Sequence, residues 1–370
     1  MINLPTHIQN TMPYQAGKPI AELARETGIE ESAIIKLASN ENPLGMSPRA
    51  KELAMKALDD VSRYPDAHGF SLKLELSKRF SVPDQWITLG NGSNDILEMV
   101  ASTFLQPGSA AVFSQYAFIV YAQATQRVGA KAIVVPAKEY GNDLQAMLAA
   151  VTSDTRLIFI ANPNNPTGTF LPAADIECFL ASVPAHVVVV LDEAYNEYLP
   201  QKLRFDSVEW VRKYSNLIVS RTLSKAYGLA GLRVGYAIAQ PQITDYMNRI
   251  RQAFNVSNVA QAAAIGALQD GEFLQRTYEC NREGLQQLVR SVCALGIEYV
   301  PSYANFLLIR VPQANAVYQA LLSQGIIVRP VGVYGLAEWL RISVGTAAEN
   351  EAFAQALKKA LHTVDGNKNA

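Results

Sequence analysis

Residues 217–233, LIVSRTLSKAYGLAGLR, join an apolar run to a lysine with hydroxyl-bearing neighbours and then to an arginine. The first four residues have the composition of a buried strand, and Lys225 follows its end. A lysine in that position is poorly solvated, which disfavours its ammonium form and leaves its amine available to attack a carbonyl. Arg233 and the hydroxyls of Thr222 and Ser224 could hold a phosphate. The stretch therefore predicts a site for an aldehyde cofactor that carries a phosphate.

Short apolar runs alternate with helical segments on both sides of this stretch. The runs lie at residues 86–89, 110–113, 131–136, 156–160, 187–191, 217–220 and 234–239. Because they are apolar on both faces, they predict a mainly parallel sheet that is covered by helices on each side. Helices dominate after residue 240, with a few strands near the C-terminus. We therefore expect an α/β fold with an N-terminal arm (1–35), a large domain (36–269) and a small α+β domain (270–370).

Polar side chains follow the ends of several predicted strands. Asn165, Asp192, Tyr195 and Lys225 each come soon after an apolar run. Ligands of open α/β sheets bind at the carboxyl ends of the strands. These side chains are therefore expected to meet at one edge of the sheet.

A glycine-rich turn, Gly90-Asn91-Gly92-Ser93-Asn94, precedes the helical segment that begins near Ser93. Backbone N–H groups at a helix start can bind an anion, and glycines let it approach closely. Such a turn alone is often only structural. Beside the lysine and arginine, Gly92, Ser93 and Asn94 are predicted to complete a phosphate site.

Composition limits the classes of partner. The chain has 370 residues, 18% of them charged, with a formal net charge of -1, which disfavours a nucleic-acid or membrane-surface partner because both need a basic excess. Three widely spaced cysteines and no basic-then-apolar N-terminal segment favour a cytoplasmic protein with free thiols. The four histidines are scattered, so we expect no metal site.

Pyridoxal 5′-phosphate is the cofactor that these residues suit. It needs an amine for a Schiff base, an anion beside its ring nitrogen and an aromatic against its ring. Lys225 supplies the amine and Asp192 the anion, Tyr195 and Asn165 could bond the phenolic oxygen, and Tyr116 could stack on the ring. Each residue alone has an ordinary structural explanation, such as a cap or a tight turn. Their order and their position at strand ends favour the functional interpretation of the set.

Four passages resemble the class I/II aminotransferases, which are fold-type I pyridoxal-phosphate enzymes. The resembling passages are residues 164–168 (NNPTG), 192–195 (DEAY), 224–233 (SKAYGLAGLR) and 340–345 (LRISVG). The resemblance spans nearly the whole chain and implies a large domain on a mainly parallel seven-stranded sheet with a smaller α+β domain. It implies that Lys225 joins the cofactor, that Asp192 pairs with its ring nitrogen and that Arg233 binds its phosphate. It also implies a homodimer in which Tyr64 reaches the cofactor phosphate of the neighbouring subunit.

Residues 37–43 (LASNENP), 63–66 (RYPD) and 90–95 (GNGSND) are similar to the branch of the family that acts on histidinol phosphate. That branch implies transfer of an amino group from L-histidinol phosphate to 2-oxoglutarate, a step of histidine biosynthesis. It implies substrate contacts from Tyr14, Asn42, Arg329 and Arg341. An aromatic amino-acid aminotransferase and a decarboxylase of phosphorylated amino acids remain alternatives on the same fold. A non-catalytic regulator ranks below them, because such proteins tend to lose the lysine or the aspartate.

Overall fold

The structure is a computed structural model that describes residues 2–9, 11, 13 and 17–366. The elements that precede the central sheet are α1 (Thr6–Gln9), α2 (Ile20–Thr27), β1 (Ile35–Lys36), α3 (Pro48–Ala57) and α4 (Phe70–Phe80). Pro48 stands in the first turn of α3, and the hydroxyl of Ser47 accepts from the N–H of Ala50. This proline and this cap explain why the helix begins there.

Seven strands form the central sheet: β2 (Ile87–Gly90), β3 (Ala110–Ser114), β4 (Lys131–Val135), β5 (Thr155–Ala161), β6 (Val188–Asp192), β7 (Leu217–Thr222) and β8 (Gly235–Ile238). The helices between them are α5 (Ser93–Phe104), α6 (Ile119–Arg127), α7 (Leu144–Ala149), α8 (Ala173–Ser182) and α9 (Ser207–Lys213). The strand order is β2-β8-β7-β6-β5-β3-β4, and β8 alone runs in the direction opposite to the other six strands. The predicted mainly parallel, seven-stranded α/β sheet is confirmed.

Apolar side chains bury both faces of this sheet. Every residue of β6 is buried, and Leu191 packs in the core on one face while Val190 packs in the core on the other. Because β5, β6 and β7 are parallel and in register, Ala161 lies beside Asp192, and Asp192 beside Ser220. The segments that follow these three strands therefore begin at one edge of the sheet.

The remaining elements are α10 (Pro241–Ile250), α11 (Asn258–Leu268), α12 (Gly271–Ala294), β9 (Glu298–Val300), β10 (Phe306–Arg310), α13 (Ala314–Leu322), β11 (Ile326–Ile327), β12 (Arg329–Pro330), β13 (Trp339–Ser343) and α14 (Ala347–Gly366). An antiparallel sheet of order β12-β13-β10-β9 packs with α12, α13 and α14 around its own core. In the described part of the chain, no helix combines the length and the apolar character needed to cross a membrane.

The N-terminal segment packs against the C-terminal part of the chain. β1 pairs in parallel with β11, and Leu23 of α2 shares a small core with Leu322 and Ile327. The loop that follows β1 then runs back toward the central sheet. This path carries Ser39 and Asn40 to the space between the two sheets.

Candidate active site

A cavity of about 240 Å³ opens at the carboxyl ends of β5, β6 and β7. Side chains from the large sheet line one wall and Arg329 and Arg341 of the small sheet line the other. Eleven of the predicted site residues meet here: Ser93, Asn94, Asn165, Asp192, Tyr195, Thr222, Ser224, Lys225, Arg233, Arg329 and Arg341.

Lys225 follows β7 and turns its amine toward the loop after β1. Its Nζ donates to the carbonyl oxygen of Ser39 at 2.9 Å. Burial and, after it, the positive charge of Arg341 lower the pKa of Lys225 to about 8. A useful fraction of the amine is therefore neutral near neutral pH, as a nucleophile needs.

Asp192 ends β6 at the bottom of the cavity. The hydroxyl of Tyr121 donates to its Oδ2 at 2.8 Å, and the N–H of Ala194 donates to its Oδ1 at 3.3 Å. Burial raises the pKa of Asp192 to about 6, although both hydrogen bonds oppose that shift. Because a buried carboxylate without a cation is costly, Asp192 is well placed to pair with a cationic ring nitrogen.

Tyr195 accepts two hydrogen bonds on its hydroxyl oxygen. Nδ2 of Asn40 donates to it at 2.9 Å and Nδ2 of Asn165 at 3.2 Å. The guanidinium of Arg341 is buried next to this pair, donating from Nη1 to Oδ1 of Asn165 at 2.6 Å and from Nη2 to the carbonyl of Ala38 at 3.0 Å. These hydrogen bonds fix the positions of the Tyr195 hydroxyl, the Asn165 amide and the Arg341 guanidinium relative to one another.

A cradle of donors lies at the start of α5. Gly92 precedes the helix with a φ of 82°, and a Cβ at this position would lie 2.4 Å from Nη2 of Arg233. Arg233 donates from Nη1 to the hydroxyl of Ser224 at 3.3 Å, and the N–H of Ser224 donates to Thr222 Oγ1 at 3.1 Å. Free N–H groups at the helix start, a guanidinium and two hydroxyls form an anion site.

The residues fit pyridoxal 5′-phosphate on their own chemistry. The anion site could hold the phosphate, the buried carboxylate of Asp192 could pair with the ring nitrogen, and Lys225 presents a partly neutral amine to the same cavity. The hydroxyl of Tyr195 and the amide of Asn165 could reach a phenolic oxygen.

Four predicted site residues that the structure describes do not line the cavity: Gly92, Asn42, Tyr64 and Tyr116. Gly92 supports it from behind Arg233. Asn42 is buried, and its Nδ2 donates to the carbonyl of Ala226 and to Thr277, so it ties its loop to the fold. Tyr64 is 83% exposed and stacks on Phe254 with 4.5 Å between ring centroids. Tyr14 lies outside the described residues.

Tyr116, the fourth, is not among the residues that line the cavity, and its stacking on the cofactor ring stays a prediction. Its ring stacks on Tyr140 at 6.0 Å and packs in a separate core around Trp339. Phe118, the residue directly before α6, does line the cavity.

Sequence reasoning also missed Asn40, Tyr121 and Tyr334. Tyr334 lines the cavity from the turn between β12 and β13. Tyr121 lies within α6, the helix that follows β3. Asn40 stands in a polar turn where Asn42 was the favoured residue. Their contacts join distant parts of the chain, which no local pattern reveals.

The fold and this site together define the class: the architecture is that of the fold-type I pyridoxal-phosphate enzymes. The chain belongs to the aminotransferase class I and II family, whose model matches residues 32–357. The family predicted from the four resembling passages is confirmed.

Two similar relatives and a similar solved structure share one name. The chain is 61% identical to histidinol-phosphate aminotransferase 1 of Cupriavidus pinatubonensis, covering 96% of each chain. It is 60% identical to histidinol-phosphate aminotransferase 2 of Ralstonia nicotianae, again over 96% of both. Its structure matches that of histidinol-phosphate aminotransferase from Sinorhizobium meliloti, solved in complex with pyridoxal-5′-phosphate, with a TM-score of 0.91, 29% identity and coverage of 98% of this chain and 99% of that one.

Proposed function

We propose that the protein transfers the amino group of L-histidinol phosphate to 2-oxoglutarate, giving imidazole acetol phosphate and glutamate, with pyridoxal 5′-phosphate as cofactor. The single observation that carries the proposal is one cavity that holds Lys225, Asp192, the Arg233 anion site and the two arginines of the small sheet. The names of relatives that are about 60% identical over nearly the full length support the substrate.

Pyridoxal phosphate, when bound, supplies an aldehyde carbon that captures amino groups and a ring that accepts electrons from the substrate carbon. Asp192 keeps the ring nitrogen protonated by pairing with it. Lys225 would hold the cofactor, and its amine could move a proton at the substrate carbon. Tyr195 and Asn165 could donate to the phenolic oxygen, and Phe118 lines the cavity where it could contact the ring, the role predicted for Tyr116.

Arg329 and Arg341 form the substrate end of the cavity. They are paired across β12 and β13, so their side chains leave neighbouring strands at the same level. A guanidinium binds a phosphate or a carboxylate equally well. The two arginines could therefore accept the phosphate of the amino donor in one half-reaction and the carboxylates of 2-oxoglutarate in the other. Tyr14 remains a predicted contact, and Asn42 acts by holding its loop.

A homodimer is the second part of the proposal. Five large apolar side chains stand exposed within residues 55–70, with exposed fractions above one half: Met55, Leu58, Val61, Tyr64 and Phe70. Exposed apolar surface of this size on a short segment favours a protein interface. Because Tyr64 does not reach the cavity of its own chain, we propose that it reaches the partner's cofactor phosphate.

The chain is proposed to divide into the arm 1–35, the large domain 36–269 and the small domain 270–370. The separate cores of the two sheets support that division, and the packing of α2 and β1 places the arm with the small domain. A cytoplasmic location is part of the same proposal and suits a biosynthetic enzyme.

Steady-state rates with three amino donors test the function. Histidinol phosphate should give glutamate from 2-oxoglutarate with a kcat/KM well above that of phenylalanine, and threonine phosphate should release no carbon dioxide. Faster turnover of phenylalanine would favour an aromatic aminotransferase, and carbon dioxide release would favour a decarboxylase. Absence of turnover with all three would favour a regulator. Lys225→Ala is the control, since it should abolish multiple turnovers.

A further inference from the structure

Asn40 is the centre of a buried hydrogen-bond hub between the two sheets. It is 1% exposed, and its backbone has a φ of 56°. Its N–H donates to Ser343 Oγ at 2.8 Å, and its carbonyl accepts from Nδ2 of Asn305 at 3.0 Å. Its side chain reaches Ser343 on one side and Tyr195 on the other.

The direction of the Asn40 amide follows from counting donors. The backbone N–H of Asn40 can only donate, so Ser343 Oγ accepts there and is left with one proton to give. That proton goes to Oδ1 of Asn40 at 3.1 Å, the other contact of this hydroxyl. The reversed amide would leave the buried Ser343 proton without an acceptor, which is costly. Nδ2 of Asn40 therefore faces Tyr195 and donates to it.

The amide of Asn165 is oriented by the same reasoning. A guanidinium has no acceptor, so the 2.6 Å contact with Nη1 of Arg341 must be made by Oδ1 of Asn165. Its Nδ2 then faces the hydroxyl of Tyr195. Two amide donors thus occupy the two lone pairs of that hydroxyl oxygen, and its own proton must point elsewhere.

We propose that Asn40 is a positioning residue that turns the hydroxyl proton of Tyr195 into the cavity, toward the cofactor's phenolic oxygen. The inference rests on the proposed function, because that oxygen belongs to pyridoxal phosphate. If residue 40 presented an oxygen to Tyr195 in place of Nδ2, the Tyr195 proton would have a second acceptor and would point away from the cavity part of the time. An amide anchored on the backbone hub therefore sets one of the donors that stabilise negative charge on the cofactor.

The charges around Tyr195 are compatible with donation. The titratable and charged groups that face it are Asp192, Arg341 and Tyr334, and Lys225 lies on the same cavity wall. Burial raises the pKa of Tyr195 to about 12, so its hydroxyl keeps the proton throughout the working pH range. The hub also ties Tyr195 to β13 of the small sheet through Ser343, so its orientation depends on how the small sheet is seated.

A double-mutant cycle on the reconstituted holoenzyme tests the inference. Asn40→Asp is nearly isosteric, but it offers Tyr195 an acceptor in place of a donor. The pH midpoint of the cofactor's visible absorbance is measured for the unchanged enzyme, for Asn40→Asp, for Tyr195→Phe and for the double variant. We expect Asn40→Asp to raise the midpoint and to weaken cofactor binding about tenfold, the loss of one hydrogen bond to a charged group.

The Tyr195→Phe background separates orientation from the added charge. Asn40→Asp should shift the midpoint clearly less there, because only the charge acts when no hydroxyl is present. Equal shifts in both backgrounds would overturn the inference. Asn305→Ala is the matched control, since it loosens the same hub without touching Tyr195, and an equal shift in that variant would also overturn it.

Ser343→Ala gives an independent route if Asn40→Asp does not fold. This change removes the Ser343 hydroxyl, which orients the Asn40 amide. We expect the pH midpoint to rise less than in Asn40→Asp, and an unchanged midpoint would count against the inference. If the unchanged enzyme gave no visible band with pyridoxal phosphate, the proposed function itself would fail. The two failures are therefore distinguishable.

Discussion

The hydroxyl of Tyr121 donates to Oδ2 of Asp192 at 2.8 Å, with both side chains buried beneath the cavity. The ring of Tyr121 stacks on Phe159 at 4.6 Å and meets Phe118 edge-on at 6.0 Å. One tyrosine on α6 therefore contacts both the carboxylate and the aromatic ring that we assign to the cofactor's ring system.

Tyr121→Phe should weaken cofactor binding while preserving the packing. Loss of the donor disfavours ionised Asp192, so the pKa of this carboxyl rises further and the cofactor is released at a higher pH on acidification. We expect about a tenfold rise in the cofactor Kd. Cofactor release is measured by the visible absorbance across pH 5 to 8. Tyr236→Phe, also buried in the central sheet, should leave the release profile unchanged. An unchanged profile in Tyr121→Phe would contradict the role.

Asp192→Asn should stabilise the cofactor-free protein at neutral pH. The folded pKa of Asp192, about 6, lies above its ordinary value of 3.8, so the native state holds a proton that the unfolded chain has lost between these values. Stability contributed by this group therefore falls as pH rises from about 4 to about 6, by roughly 3 kcal/mol in total.

Urea unfolding of the cofactor-free protein at pH 4.5 and 7.5 measures that effect. The variant should gain up to roughly 3 kcal/mol at the higher pH, little at the lower one, and should bind cofactor much more weakly. The exposed change Asp245→Asn is the control and should stay within about 0.5 kcal/mol at both pH values. An Asp192→Asn variant that is less stable than the parent at pH 7.5 would contradict the raised pKa of Asp192.

Cofactor capture by Lys225 should depend on pH with a midpoint near 8. The neutral amine is the nucleophile, so the capture rate of the cofactor-free protein should rise tenfold per pH unit below the midpoint and level off above it. Because the charge of Arg341 helps to lower the pKa of Lys225, Arg341→Gln should move the midpoint upward. Stopped-flow absorbance checks both, and a midpoint that stays in place would show that Arg341 has no such effect.

Gly92→Ala should damage the anion site. The new Cβ would lie 2.4 Å from Nη2 of Arg233, and a φ of 82° with a ψ of 169° strains any residue but glycine. We expect a loss of roughly 1–3 kcal/mol in the free energy of unfolding and weaker binding of inorganic phosphate. Gly231→Ala is the matched control, since no atom lies within 4 Å of its added Cβ. Unchanged phosphate affinity in Gly92→Ala would place the phosphate elsewhere.

Tyr64 should act across a dimer interface. A heterodimer of Lys225→Ala and Tyr64→Ala chains, isolated with two affinity tags, contains one site with both residues intact. It should recover up to half of the parental activity and exceed either variant homodimer. If Tyr64 served its own chain, the heterodimer would show no more than half the activity of Tyr64→Ala.

The central part of this fold could be predicted from local patterns. Short apolar runs at β3, β5, β6 and β7 stand out because a strand buried on both faces must be apolar throughout. Parallel strands bring their carboxyl ends to one edge, so Asn165, Asp192 and Lys225 could be placed together without knowledge of any side-chain contact.

Two neighbouring pairs of residues mark where that reasoning ended. Phe118 lines the cavity and Tyr116 does not, because the direction of a single side chain in the loop before α6 is not encoded in a local propensity. Asn42 was predicted as a substrate contact, whereas the contact of Asn40 with Tyr195 was not predicted, because the hub depends on Ser343, 303 residues further along the chain.

The sequence by itself determined the succession of strands and helices along the chain and the meeting of Lys225, Asp192 and Arg233 at one site, because these follow from local composition and from the geometry of parallel sheets. Only the tertiary structure decided which amides orient Tyr195, which tyrosine supports Asp192 and that Tyr64 faces away from its own cavity. Hydrogen bonds between buried groups join positions hundreds of residues apart, and their directions are fixed only when every donor and acceptor is in place.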